Sequence, residues 1–398
     1  MTTADAALLI ETEGTTPPEG QIDIALLGGG LHKLGQRYHL VRGESNTVLM
    51  GLAIGWTLWG FLVVLATILG KGDRVFVMGM IATHVRLLLV IPMLFLCESL
   101  LAPVVRVFVR SLILTDIIRD SEKPKMAELI TRFNRWTSSR LPDIFCLLAA
   151  LTIGSQGTHL LDATTARGFD PLSVIQNSLT YTAFVIVELV VFRFLLFRWL
   201  WRIASWFFFL WRLSRLNLHL VATHSDRAGG LGGLELVQMY FLPLVGAVSL
   251  IISATLAQDL SKGAEFTTIY PIIVVCMGIG LMLVFGPLLL FMRPLSECRK
   301  KSYFTYMSLA SRYVHAFEKR WLSPDSTYDQ FLGTGYLQSL ADLTGSLDVV
   351  RDMRFVPAGK QLLMGTVLAA VLPLLPLWLF KYSASDLLGK LVQSLIGG

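Results

Sequence analysis

Long apolar runs separated by short polar breaks set the pattern of this chain. Seven such runs recur, at 46–69, 76–104, 143–161, 176–197, 237–257, 269–292 and 361–381. A helix rises about 1.5 Å per residue, so about 20 apolar residues cross the ~30 Å hydrocarbon core of a bilayer. The pattern predicts an all-α fold, a polytopic transmembrane helix bundle of about seven spans with cytoplasmic helical segments. In the last run Pro373 and Pro376 interrupt the second half, so it either crosses with a kink or re-enters. No internal repeat is visible, so sequence symmetry does not support an inverted-repeat transporter.

The segments between the runs divide the chain further. Residues 1–45, with Pro17-Pro18 and Gly28-Gly29-Gly30, read as a mobile cytoplasmic tail ahead of a six-span bundle at 46–292. Cytoplasmic helices are expected at 105–142, where Leu112, Ile113, Ile117, Ile118, Leu129, Ile130 and Phe133 fall at helical spacing, and at 198–236. Residues 293–360 read as a helical hairpin, a basic helix over 295–321 and a second over 335–354, broken at Ser323-Pro324-Asp325. The second helix places Leu337, Leu340, Leu343 (or Thr344), Leu347 and Val350 on one side. That stripe is expected to bury against the first helix, the 106–142 helices or another subunit. Residues 361–398 hold the seventh span and a short external tail.

Composition excludes several classes. Of 398 residues, 54% are apolar and only 16% charged, against roughly a quarter charged in soluble domains. Disorder, collagen, coiled coil and disulfide scaffold are ruled out by the same figures. The net charge of +6 reads as orientation and contact with anionic headgroups, so the bilayer is the expected partner and nucleic acid is not. Of 34 Lys and Arg, 26 fall in the N-terminal segment and the segments after the second, fourth and sixth runs. Six fall on the other side (Lys71, Arg74, Arg167, Lys262, Lys381 and Lys390). That bias places the N-terminus in the cytoplasm. No charged segment followed by a short apolar core opens the chain, so no cleaved signal peptide is expected. The cysteines Cys97, Cys146, Cys276 and Cys298 stand singly, which supports neither a disulfide framework nor a zinc site.

Ionisable residues at membrane depth are costly, and they are the candidate functional residues here. They are His84, Arg86 and Glu98 on the second run and Glu188 and Arg193 on the fourth, with Gln156 and His159 on the third. Arg86 lies about 15 Å below the start of its run and Glu188 about 18 Å, so the two are expected to pair. Glu98, at about 33 Å, and Arg193, at about 26 Å, either pair less well or face the inner interface. The pair reads as a structural tie or as the lining of a water-filled path. His84, near the outer end, is a proton acceptor or simply solvated. On the sixth run Gly278, Gly280 and Gly286-Pro287 suit close helix approach and a kink.

Beyond the fourth run, Arg198, Arg202, Ser205, Arg212, Arg215 and His219 share one helical face, and aromatic residues fill the rest. This predicts a helix at headgroup level. A voltage-sensing ladder is excluded by the position and uneven spacing of the arginines. Next, His224, Asp226 and Arg227 precede Gly229, Gly230, Gly232 and Gly233. So many glycines break a helix, leaving a plain turn or a glycine-hinged polar site. The His/Asp spacing matches no metal motif, and a phosphate loop would need a preceding strand.

The string His224-Ser225-Asp226-Arg227-Ala228-Gly229-Gly230-Leu231-Gly232 resembles an H-P-D-R-A-G-G-L-G block in a group of bacterial multi-pass inner-membrane proteins of unassigned function. The 332–343 stretch and Thr83-His84-Val85-Arg86 are similar to further blocks of that group. Ser225 stands where the group usually has proline. The resemblance implies a bacterial inner-membrane location and supplies no activity. No Ser/His/Asp set, HExxH or paired carboxylates stand out, so no catalytic residue, cofactor or enzyme activity is expected. The function expected is a channel or transporter for a small ion or solute. The alternative is a non-conducting scaffold or signalling component acting through its cytoplasmic helices, as a homo-oligomer or with a partner.

Overall fold

The computed structural model describes residues 24, 30–41, 46–68, 70, 75–155, 179–321 and 335–381; the side chains of 153–155, 179–186 and 268 lie outside that description. The elements among the described residues are helices, with no strand among them, and an isolated β-bridge joins Ile118 and Leu218. In chain order the helices are α1 (Gly30–Arg37), α2 (Val48–Ile68), α3 (Met78–Leu114), α4 (Lys123–Ser138), α5 (Leu141–Ser155) and α6 (Leu179–Leu213). There follow α7 (Gly232–Met239), α8 (Leu242–Ser261), α9 (Ile269–Leu289), α10 (Met292–Trp321), α11 (Tyr336–Arg351) and α12 (Lys360–Phe380).

Five stretches are long and apolar enough to cross a membrane: α2, α3, α7 with α8, α9 and α12. Their outward residues are apolar too, among them Ile68 on α2, Met282 on α9 and Met364 on α12, all exposed. A surface of that kind is solvated by lipid, since water would penalise it. The third and fourth apolar runs correspond to α5 and α6, which adjoin residues outside those described, and Gln156 and His159 lie there.

α3 is the central element. Leu87, Ile91, Leu94, Phe95, Leu101, Val105, Phe108 and Leu112 form its buried face against α2, α6, α7 and α8. Its sequence does not permit one regular helix. Pro92 lacks an N–H and its ring crowds the carbonyl four residues back. The turn Arg86–Val90 widens to a π-helix, in which the Ile91 N–H donates to the Arg86 carbonyl. At the other end of the chain, Pro373 and Pro376 tighten the second half of α12 into a 3₁₀ helix, Leu372–Phe380, without stopping it.

Several expected boundaries move. α3 continues past 104 to Leu114, and α6 runs unbroken for 35 residues past 198 to Leu213. The helices expected at 105–142 and 198–236 therefore begin as continuations of α3 and α6. No proline or glycine occurs between Arg198 and Leu213 to stop α6. Within the expected mobile tail, α1 is ordered and buries His32 and Gly35, and Ile24 is buried. α10 and α11 pack antiparallel, pinned where the Tyr313 hydroxyl donates to the Tyr336 carbonyl at 2.9 Å. Of the α11 stripe only Val350 is buried, and Leu337 is exposed.

Candidate functional site

The buried charges gather on the seam between α3 and α6. Arg86 Nη1 stands 2.8 Å from Glu188 Oε1, and the guanidinium also lies over the Phe192 ring, one turn further along α6. Their side chains are 12% and 3% exposed, so both charges are out of bulk solvent. A second level lies about 18 Å further along α3. There Arg202 grips Glu98 with two nitrogens, at 2.6 and 2.8 Å, a forked pairing of planar groups. Arg198 Nη1 reaches the same carboxylate at 3.3 Å, and its Nε reaches Asp143 on α5 at 3.6 Å. The Asp143 carboxylate in turn accepts the Gly30 N–H, which joins α1 to the cluster. His32 on α1 is buried, and that burial pushes its imidazole below the ordinary value against the pull of Glu98, so it is neutral at neutral pH.

Arg86 and Glu98 serve one seam because of the π-turn. At 100° per residue, twelve regular steps would set them about 120° apart. The wide turn absorbs one residue, which leaves about 20°. The same arithmetic explains which arginine meets Glu98. On α6, Arg193 lies about 140° around the helix from Glu188, whereas Arg202 lies about 40° away. Depth along the helix suggests Arg193 for Glu98, but phase selects Arg198 and Arg202. Arg193 is buried elsewhere on α6. The expected headgroup stripe is corrected for the same reason: Arg198, Arg202 and Ser205 are buried, and only Arg212, Arg215 and His219 remain outside the core.

His84 has a different setting. The Trp59 indole N–H donates to its Nδ1 at 2.9 Å, and its Nε2 stands 2.7 Å from the Val75 carbonyl. That pattern requires the proton on Nε2. The ring also stacks on Phe76, so His84 ties α2 to the start of α3.

The glycine-rich loop between α6 and α7 is held from within. The Asp226 carboxylate accepts the N–H groups of Ala228 at 2.8 Å, Gly230 at 3.0 Å and Gly232 at 2.7 Å, and lies 2.9 Å from His224 Nδ1. Arg227 takes a left-handed φ of 54°, and its carbonyl accepts the Arg354 N–H at 2.7 Å. Gly230 sits at φ 96°, where a side chain is strained, and a Cβ there would lie 2.7 Å from the Ile117 Cδ1 methyl. Gly229 also lies in the left-handed region, and a Cβ on Gly232 or Gly233 would press on Asp226 or Phe108. Glu235 on α7 accepts from Arg354 Nη1 and the Gly359 N–H, at 2.9 and 2.8 Å. The loop is thus a clamp between α3, α7 and the approach to α12.

Burial alone would raise the Asp226 carboxyl, but the three backbone donors and His224 hold it below its ordinary 3.8. A depressed carboxyl contributes stability above its ordinary pKa, and that contribution is lost as the pH falls through the folded value. Asp226→Ala is therefore expected to cost about 1–2 kcal/mol at neutral pH. Melting curves in detergent between neutral pH and about pH 3 check this, the difference from wild type narrowing as the pH falls.

Compared with protein-family models, curated proteins and solved structures, the chain matches none.

Proposed function

We propose that the chain is a bacterial inner-membrane protein of about seven spans, its N-terminus cytoplasmic, that passes a small ion or solute along the α3–α6 seam. The positive-side bias and the 224–232 resemblance support the placement. The observation that carries the function is the sharing of partners in the inner cluster. Glu98 lies between Arg198 and Arg202, and Arg198 lies between Glu98 and Asp143 at 3.3 and 3.6 Å. A purely structural tie needs one partner per charge. A chain of charges with alternative partners lets a moving ion or proton break one contact while another holds.

The test is flux. The purified protein in liposomes is given proton, potassium and chloride gradients, with Arg86→Ala and Arg198→Gln alongside. Flux of at least one ion above empty liposomes is expected, changed by about tenfold in Arg198→Gln, an altered barrier of about 1.4 kcal/mol. Absence of flux for these ions and for small neutral solutes, from folded protein, overturns the reading.

A second reading rests on a separate observation. The α10–α11 hairpin leaves Phe304, Met307 and Leu337 exposed on helices that project from the bundle. A scaffold acting through this hairpin would lose its oligomer or partner on deletion of 336–351 while the bundle stays folded.

A further inference from the structure

The cations and rings where α4 meets the far part of α6 take no part in the seam. A hollow between the two helices is lined by Leu129, Arg132, Phe133, Trp136, Ser205 and Phe208. Its wall is built by packing: Phe133 is buried edge-on against Phe209, while Trp136 stacks face to face on Phe208 at 6.0 Å with 5° between the planes. The rings and cations alternate in one continuous ladder. Arg132 lies over Trp136 at 5.8 Å, Arg212 over Phe208 and Trp211 at 5.3 Å each, and Arg215 over Trp211 at 4.5 Å.

Two properties identify what this surface takes. Among the described residues Arg132, Arg212 and Arg215 form no ion pair with a carboxylate, in contrast to Arg86, Arg198 and Arg202. Glu128, one turn before Arg132, is the acidic residue of α4 nearest the hollow in sequence. The surface also lies on the basic side of the fourth apolar run. That run ends at 197, and the ladder stands on Phe208, Trp211, Arg212 and Arg215 beyond it, on the side where the chain's basic residues concentrate. Exposed tryptophan beside arginine on that side suits a headgroup layer, apolar on one side and anionic on the other.

We infer that an anionic phospholipid of the bilayer seats here, its acyl chain against Trp136 and Phe208 and its phosphate between Arg132, Arg212 and Arg215. The inference rests on the membrane placement above and is independent of transport. The charge complementarity of three arginines without carboxylate partners selects an anionic headgroup. The accessible ring faces of Trp136 and Phe208 select a lipid over a soluble phosphate.

The experiment uses the full chain purified in a mild detergent. Retention by native mass spectrometry and melting temperature are read with phosphatidylglycerol, phosphatidylcholine or inorganic phosphate added. The expected result is preferential retention of, and stabilisation by, phosphatidylglycerol. The combined Arg132→Gln, Arg212→Gln and Arg215→Gln variant is expected to lose that preference by tenfold or more. Arg135→Gln, on the same helix outside the hollow, is expected to keep it. If the triple variant does not fold, Arg132→Gln and Trp136→Leu singly give the same comparison, each expected to weaken retention severalfold. Equal retention of phosphatidylcholine, stabilisation by phosphate alone, or unchanged preference in the variants overturns the inference. None of these readouts depends on flux, so failure here and failure of the transport reading are separately visible.

Discussion

Glu98→Gln is expected to destabilise the protein by about 3–5 kcal/mol, the largest loss of any single change on the α3–α6 seam. The carboxylate is buried and is the shared partner of Arg198 and Arg202, whose side chains are only 5% and 7% exposed. Removing its charge leaves two guanidinium groups one turn apart with Asp143 as the remaining carboxylate, 3.6 Å from Arg198. Uncompensated buried charge is what makes such a change expensive, beyond the hydrogen bonds lost. Arg198→Met is expected to cost less, because Glu98 keeps the forked grip of Arg202. The combined Glu98→Leu, Arg198→Met and Arg202→Met variant is expected to regain most of the loss, since well-packed apolar residues replace a buried ion cluster at little cost. Unfolding in detergent micelles measures all three. The comparison also separates two roles of the cluster. A stable triple variant without flux assigns the charges to passage, whereas one with normal flux assigns them to packing. If Glu98→Gln melts within about 1 kcal/mol of wild type, the cluster is hydrated and the cost argued here is absent.

The class of fold is legible from the apolar runs alone, because a bilayer leaves the backbone few options. The pairing of Arg86 with Glu188 is legible as well, since both sit at similar depth on helices running the same way. Glu98 shows where that reasoning stops. Depth fixes only one coordinate, and its partners follow from rotation about α6 and from a wide turn in α3. The signal for the wide turn is Pro92, six residues beyond Arg86, but a proline tells that a helix must adjust without telling how. His32 and Gly30 are hidden for another reason. They lie in a short glycine-flanked stretch whose order comes from the tertiary contact with Asp143. In the 224–233 loop the glycine count announces a turn. That Asp226 supplies the acceptor for three N–H groups depends on left-handed residues at 227, 229 and 230, which no spacing rule reveals.

A further signal stands in plain view at Gly51-Leu52-Ala53-Ile54-Gly55, two glycines four apart on an apolar helix. That spacing lets two membrane helices approach to backbone contact. In the structure α2 presents both glycines to α3. A Cβ on Gly51 would lie 2.7 Å from Phe95 Cβ, and one on Gly55 would run into the Leu87 carbonyl oxygen. Leu87 belongs to the π-turn, so the obstacle is backbone and cannot swing aside as a side chain would. Gly55→Ala is therefore expected to cost about 3 kcal/mol, at the upper end for an overpacked interior. Because the added methyl pushes on the turn that begins with Arg86, it is also expected to lengthen the contact with Glu188 and to change any flux through the seam. Gly60 on the same helix is the control, since a methyl added there would meet nothing within 4 Å. At that position alanine removes a flexible residue from a helix interior and is expected to be neutral or to stabilise by up to about 1 kcal/mol. The two single variants, melted side by side in the same detergent, give opposite signs if α2 and α3 meet at the glycine pair. Equal melting temperatures would mean that the two helices do not touch there, and the alignment of Arg86 with Glu98 by the π-turn would lose its support.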